Sequence, residues 1–446
     1  IIAYDKFDFD GKKESMYALR PAFDTVADMI GKGKKVPESL LEIFAQNSEY
    51  FAKLDSLINA KDKVPFKIFD KKNAEKLFGK NLNISASQLE KFNLCRFSYF
   101  CNYGLNVRER QRAEINPMQY GTIVHYILER FFGEYTKEEY LSLEEDKFQK
   151  IVCAYLAEYA VKYFGEEQLE SNSFTYRLKT ILDNVMYLMK HIMEELSQSE
   201  FFVADCELKI GEDIPSYTIV LPDGHKIAVC GSVDRVDIMQ RADITYLRII
   251  DYKTGTKQFK LSDILYGINL QMLLYLHSIE ASGGYKYGEI VPAGILYMPA
   301  TVPYISSDSL KSIDKLPDEL NKKLKMNGLL LKDTEIIHGM DKTDAATYIP
   351  VKIKAGEPVS STSLATLAEF GKIFKKVDML IAEMGKNIYN GNIEAKPLKG
   401  GHDSCEYCPY DSVCAYRQSN PITCFSVDNK TVIEEITNEI NGKEEE

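Results

Sequence analysis

The 446-residue chain is longer than an average domain and 45% hydrophobic, enough to bury a large core, so one large globular domain with additions is expected and a disordered chain is excluded. No apolar run approaches the ~20 residues that cross a bilayer, and the start, Ile1-Ile2-Ala3, has neither a Met nor a basic-then-apolar leader, which predicts a cytoplasmic piece of a longer protein with no membrane partner. The formal charge of -11 excludes whole-surface attraction to nucleic acid and leaves room for a local basic groove, with Arg108-Glu109-Arg110-Gln111-Arg112 as its candidate and a solvated loop as the equal alternative.

Residues 1–80 show helical apolar spacing broken by Lys32-Gly33-Lys34-Lys35 and Lys61-Asp62-Lys63, and are predicted as a helical lead-in. Ser85-Ala86-Ser87-Gln88 offers an N-cap to a helix whose apolar stripe, Leu89, Phe92 and Phe97, carries Cys95. A second helix runs through Gly121 to Glu129, and helical segments continue to about Ser199. The period then changes to that of strands: Phe201 to Ile210, Tyr217 to Leu221, a turn at Pro222-Asp223-Gly224, Lys226 to Met239, and Tyr246 to Tyr252. Helical spacing returns from Leu261 to Ile279, and Ile290 to Met298 reads as a buried strand. Segment 304–360 is polar with weak signal, 361–390 is helical, and 400–417 is a cysteine-bearing loop. The end is acidic, with Glu434-Glu435 and Glu444-Glu445-Glu446, and 421–446 is expected to be a charged, solvated tail. The whole is an α/β chain with a mixed sheet.

Asp251-Tyr252-Lys253-Thr254-Gly255 ends an apolar strand just before a turn, at a strand end expected to be reachable by solvent. Residues two apart on a strand share a face, so Asp251 and Lys253 point into one space and Tyr252 points away. Alone this is weak, because a surface ion pair at a strand end looks the same. The preceding strand carries Gly231-Ser232-Val233-Asp234, and a hairpin turning at Ala242-Asp243 sets Asp234 opposite Asp251. Opposed Cβ atoms lie ~5 Å apart, where like charges repel unless a cation separates them; an oxygen-ligated Mg²⁺ or Mn²⁺ suits such a pair. A one-residue slip of register would remove the site. His125 and Glu129 share a helix face, as do Gln271 and Tyr275, though each pair alone is ordinary.

Together these residues resemble the RecB-type branch of the PD-(D/E)xK nucleases, whose motifs run Gly-x-x-x-His-x-x-Leu-Glu, Gly-x-x-Asp, Asp-x-Lys and Gln-x-x-x-Tyr. Here they stand, in order, as Gly121 to Glu129, Gly231 to Asp234, Asp251 to Lys253 and Gln271 to Tyr275. The resemblance implies a restriction-endonuclease-like core at 81–420. It implies that His125, Asp234 and Asp251 bind metal with help from the Tyr252 carbonyl. Lys253 is implied as catalytic, with Gln271 and Tyr275 positioning DNA.

Cys405, Cys408 and Cys414 form a Cys-x-x-Cys-x-x-x-x-x-Cys group that needs a fourth ligand. Cys95 is the candidate and Cys101 its competitor, and on donor type alone zinc is as acceptable as iron. Cys153, Cys206, Cys230 and Cys424 read as small buried hydrophobes. The segment Ser85 to Phe100 looks like the cysteine segment of the AddB component of bacterial AddAB helicase-nucleases, with Arg96 where a proline is common. That family's arrangement implies a [4Fe-4S] cluster on Cys95, Cys405, Cys408 and Cys414. It also implies an AddA-like helicase-nuclease component as partner, DNA ends as substrate, and degradation of the strand ending 5′. CRISPR-associated iron-sulfur nucleases share the layout, and a noncatalytic DNA-end-binding module is the rival of another class. A zinc-stabilised scaffold would leave the ordered acidic motifs unexplained. There is no Gly-x-x-x-x-Gly-Lys-[Ser/Thr], so no ATP hydrolysis is expected.

Overall fold

The computed structural model describes residues 18–31, 34–59, 67–68, 70–108, 117–165, 171–255, 258–302, 316–343, 346–360, 362–414, 416 and 421–444. The basic stretch at 109–112 lies outside these; Arg108 is exposed.

Two compact units divide at Lys67/Ile68. In the first, helices Leu19–Gly31, Glu38–Ala45 and Ser48–Asn59 enclose a small core in which the Phe23, Phe44 and Tyr50 rings meet with centroids 4.9 to 5.6 Å apart. The lead-in therefore ends earlier than residue 80. Helix Lys71–Phe78 belongs to the second unit, where Tyr389 Oη donates to the carbonyls of Gly79 and Lys80 and Ile68 N donates to Gly391 O.

The strands of the second unit are β1 (Asn81–Ile84), β2 (Phe202–Ile210), β3 (Thr218–Val220), β4 (Lys226–Val229), β5 (Gly231–Arg241), β6 (Ile244–Lys253), β7 (Glu289–Pro299), β8 (Asn327–Leu331), β9 (Lys352–Lys354), β10 (Glu357–Val359), β11 (Leu364–Ala365), β12 (Leu398–Gly400) and β13 (Ile422–Cys424). Six of them make the main sheet, in the order β11-β8-β7-β6-β5-β2. β2, β5 and β6 are antiparallel neighbours, while β6 and β7 run parallel across the helix Gln271–Ser282. This mixed α/β sheet with helices on its faces is the class the sequence predicts. β6 is buried almost throughout because it lies at the centre of the sheet, which explains its near-continuous apolar run.

Three predicted elements differ. The run 226–239 is two strands, because the chain changes sheets at Cys230: β4 pairs with β1 and β3, and β5 with β2 and β6. The helix expected over 261–279 breaks after the 3₁₀ turn Leu261–Tyr266. Gly267 has φ +67°, and a Cβ there would stand 2.3 Å from Asn93 Nδ2, which donates to the Gly267 carbonyl. β8, inside the segment with weak signal, is a fully interior strand beside β7.

Residues after 420 are not a solvated tail. Strand β13 pairs with β12, and helix Asn429–Glu444 buries Val432, Ile436 and Ile440 against the core, four residues apart as a helix stripe requires. Lys376 Nζ, itself buried, holds Glu439 at 2.5 Å.

Candidate active site and cysteine cluster

The hairpin of β5 and β6 turns at Ala242-Asp243, with Ala242 at φ 51°, and its pairs run from Arg241↔Ile244 to Arg235↔Ile250. The next step of that register opposes Asp234 to Asp251. Asp234 Oδ2 accepts from the Tyr252 amide at 2.9 Å, which orients the carboxyl at the strand end. Burial first, and then the Asp251 charge, pushes the Asp234 carboxyl up to about 7. A cation between the two removes that cost.

His125 comes from helix Pro117–Glu134, with Nε2 3.6 Å from Asp234 Oδ2. Its Nδ1 lies 2.8 Å from Glu207 Oε1. An ionised carboxylate only accepts, so Nδ1 donates and the Nε2 lone pair is left for a ligand in the neutral ring. Burial opposes protonation of His125, but the Glu207 bond and the Asp234 charge outweigh it and the imidazole is raised overall. Burial also acts against the Glu207 charge, and the bonds from His125 and from Ser232 Oγ, the latter 2.8 Å, hold its carboxyl below the usual range. With one oxygen on each partner, Glu207 is engaged in orienting His125.

The sequence reading missed Glu207. It stands on β2 across from Asp234, beyond the register shift at Val203/Asp205, and has φ 50°, a left-handed conformation that costs on the order of 1 kcal/mol or more in a non-glycine residue. An acidic residue at the antiparallel partner position of Asp234 is the signal that could have found it. Among the described residues, His125, Glu207 and Asp234 form the one group of three or more possible ligands whose atoms lie mutually within 4.8 Å.

Lys253 Nζ lies 2.5 Å from Asp251 Oδ2, on one strand face as expected. The two differ in exposure. Lys253 enters an open cleft of about 990 Å³ with His125, Glu207 and Tyr252, whereas Asp251 is only 2% exposed and sits behind that lining. The expectation that both stand at a solvent-reachable strand end holds for Lys253 and fails for Asp251, because β7 covers the other edge of β6.

Tyr275 is buried rather than poised at a surface. Its hydroxyl fits against Gly231, where a Cβ would come within 2.2 Å of it, so the glycine of the second motif makes room for the tyrosine of the fourth. Burial raises this phenol to about 12. Gln271 opens the same helix, half-buried, and is not part of the cleft lining; Glu129 is exposed and lines it beside His125.

Behind the carboxylates lies a fully buried ionic network that no motif announces. Arg235 and Arg248 share Asp237 and Glu195: Arg235 Nη2 is 2.6 Å from Asp237 Oδ2 and 3.1 Å from Glu195 Oε2, and Arg248 Nη2 is 2.6 Å from Glu195 Oε1. Arg235 Nη1 also donates to Tyr252 Oη at 3.2 Å, so the residues following Asp234 and preceding Lys253 are clamped together.

The cysteines gather elsewhere. Cys95, Phe97, Cys101 and Tyr410 form a buried group with Cys408 and Cys414 against it. Cys95 ends helix Ala86–Leu94, which Ser85 and Gln88 cap reciprocally, and Arg96 is the first residue of the helical turn Arg96–Tyr99, a place that proline tolerates equally. A π-turn, Phe100–Gly104, then turns Cys101 into the same group. Tyr410 Oη donates to Val107 O at 2.8 Å, tying the C-terminal loop to this segment. All nine cysteines are free thiols. Burial raises the Cys95, Cys101 and Cys414 thiols, and neighbouring cysteines add to the rise. Cys424 is buried, as expected, while Cys153, Cys206 and Cys230 are half-buried.

The sequence matches the profile of the PD-(D/E)XK nuclease superfamily over residues 83–415. The chain belongs to that superfamily. It is 34% identical over 354 residues to the second (B) component of the ATP-dependent helicase/deoxyribonuclease of Thermoanaerobacter sp. strain X514, covering 77% of this chain and 30% of the relative. The proteins that carry the same name in Ruminiclostridium cellulolyticum and Clostridium acetobutylicum are 33% and 30% identical over 424 and 442 residues, covering 91% and 92% of this chain and 37% of each relative. The chain thus spans about a third of the length of the curated relatives it matches. No helix among the described residues is long and apolar enough to cross a membrane.

Proposed function

We propose that this chain is the nuclease portion of a helicase-nuclease, a metal-dependent deoxyribonuclease that degrades the 5′-ended strand at double-strand breaks in recombinational repair in the cytoplasm, with an AddA-like helicase-nuclease component as partner. The observation that carries it is the convergence of His125, Asp234 and Asp251 at one strand end, with Lys253 2.5 Å from Asp251 and open to the cleft.

His125 Nε2, a carboxylate oxygen each from Asp234 and Asp251, and the Tyr252 carbonyl are the donors for Mg²⁺ or Mn²⁺, a set whose oxygens suit a hard cation. A cation bound there supplies Lewis acidity to the scissile phosphate and lowers the pKa of water. Glu207 fixes the His125 tautomer. The Lys253 ammonium, steered by Asp251, hydrogen-bonds the attacking water or the phosphate oxygen that gains charge. Tyr275 packs beneath Asp234 and supports the strand; Gln271, at the head of the same helix, is left as a contact to the DNA backbone.

For the cysteines we propose a structural [4Fe-4S] cluster on Cys95, Cys405, Cys408 and Cys414, with Cys101 as the alternative fourth ligand. The donor set fits, being unpaired thiols gathered in an apolar pocket. Among the described residues, no three of the sulfurs lie mutually within 4.8 Å. A single zinc with bonds of ~2.3 Å draws thiolates to about 3.8 Å of one another, so the wider spacing favours the larger inorganic core.

The test is cleavage of end-labelled single-stranded and duplex DNA with Mg²⁺, Mn²⁺ or EDTA. Cleavage that needs the cation and is lost in Lys253→Ala supports the reading; equal cleavage by wild type and Lys253→Ala contradicts it.

A further inference from the structure

The cleft that Lys253 enters has a second wall made of tyrosine: Tyr126, Tyr159 and Tyr163 line it together with Lys209. Tyr126 follows His125 on its helix, and Tyr159 and Tyr163 stand one turn apart near the end of helix Glu145–Phe164. Tyr159 is buried. Its ring lies 4.4 Å from that of Tyr163 at 34° and 5.2 Å from that of Tyr126 at 61°, so it fixes both. Tyr163 is 55% exposed despite that support. The Lys162 ammonium stands 5.1 Å from the Tyr163 ring centroid and 5.8 Å from that of Tyr126. A rigid, half-exposed ring flanked by lysines, in the same cleft as the proposed metal ligands, has the composition of a surface that stacks a base and holds its phosphate.

We propose that Tyr163, backed by Tyr159, is a base-stacking platform that seats a nucleotide of an unpaired DNA strand beside the phosphate presented to Lys253. The inference rests on the nuclease reading and adds its substrate class: single-stranded rather than duplex DNA. In a duplex both faces of an internal base are covered by its neighbours, so a ring in the cleft wall can meet a base face only after the strand has been separated. Stacking is also tolerant of sequence, which suits an enzyme that removes a strand regardless of what it encodes. Lys162 and Lys209 supply local positive charge to the phosphates in a chain whose net charge is -11.

The test uses the 446-residue chain in EDTA, so that binding is read without cleavage, with three fluorescent probes: oligo-dT, an abasic oligonucleotide of the same length, and a blunt duplex. Wild type is expected to bind oligo-dT more tightly than the other two. Tyr163→Ala should weaken oligo-dT binding by roughly 5- to 100-fold and leave abasic binding nearly unchanged, while Tyr163→Phe keeps the ring and the affinity. A structural lesion would weaken both single-stranded probes alike. Tyr163→Ala binding oligo-dT like wild type, or wild type binding the abasic strand or the duplex as well as oligo-dT, overturns the platform while Mg²⁺-dependent cleavage leaves the nuclease reading standing. A wild-type chain that neither binds nor cleaves DNA overturns both.

Discussion

The carboxylate group and the cysteine group are held in place by different means. Asp234, Asp251 and Lys253 sit on two adjacent strands whose register is fixed by a two-residue turn, and Glu207 joins them from the next strand. The cysteines come from Cys95 and from a loop beginning beyond Gly400, on either side of the whole nuclease core in sequence. The first group is a product of the fold. The second closes the chain around it. Changing a carboxylate site of this kind should therefore cost chemistry with little stability, and changing a cysteine should cost stability first.

The largest effect expected is that of Cys408→Ala. By analogy with a disulfide, a cross-link from Cys95 to Cys405 restricts the unfolded chain by on the order of 5 kcal/mol. Urea unfolding of protein purified without oxygen should show a loss of that order, together with lost iron, sulfide and visible absorbance. Unchanged stability, or zinc in place of iron, would break the comparison at its second half.

Next comes the ionic network behind the carboxylates. Glu195→Ala leaves Arg235 and Arg248 buried with half their partners, which should cost about 3–5 kcal/mol. Replacing Glu195, Arg235, Asp237 and Arg248 together by apolar residues of similar volume should restore most of it. A small effect of Glu195→Ala in thermal unfolding would show that the strand ends bearing Asp234 and Asp251 need no rigid backing.

His277 provides a control outside both groups. Burial opposes its charge, but bonds to Asp378, at 3.0 Å, and to Glu280 raise it to about 9. A histidine raised on folding stabilises below its unfolded pKa of ~6.5 and loses that contribution as pH climbs through about 9. Stability should accordingly fall by up to about 3 kcal/mol between those limits, and His277→Gln should flatten the slope. A slope that persists in His277→Gln belongs to another group.

Gly231→Ala should cost less, about 1–3 kcal/mol, because the added methyl meets the Tyr275 hydroxyl. Adding Tyr275→Phe removes the clashing oxygen and should recover part of the loss. If cleavage fell in Tyr275→Phe alone with stability unchanged, Tyr275 would have a role in the chemistry beyond packing.

What could be read from the sequence follows the same division. The hairpin turn fixes the register, so the opposition of Asp234 and Asp251 was legible from two strand patterns and one turn. Glu207 was not, because it depends on a strand pairing across a bulge, and a lone glutamate in Cys206-Glu207-Leu208 has no motif around it. Arg235, Asp237 and Arg248 look like a solvated strand face until Glu195, from the long helix Asn172–Gln198, is seen to cover them. Tyr275 was misplaced because i, i+4 spacing gives a shared helix face without saying which face is buried. The acidic residues of the last helix hid an apolar stripe, Val432, Ile436 and Ile440.

The most direct test of the central claim is the cleavage rate of Lys253→Ala and Asp251→Asn against wild type on end-labelled DNA in Mg²⁺, read beside their melting temperatures. The account predicts losses on the order of 10²–10³-fold or more for each, with Lys253→Ala melting within a few degrees of wild type and with wild-type activity abolished by EDTA. Wild-type rates in both variants, or cleavage that persists without a divalent cation, would contradict it.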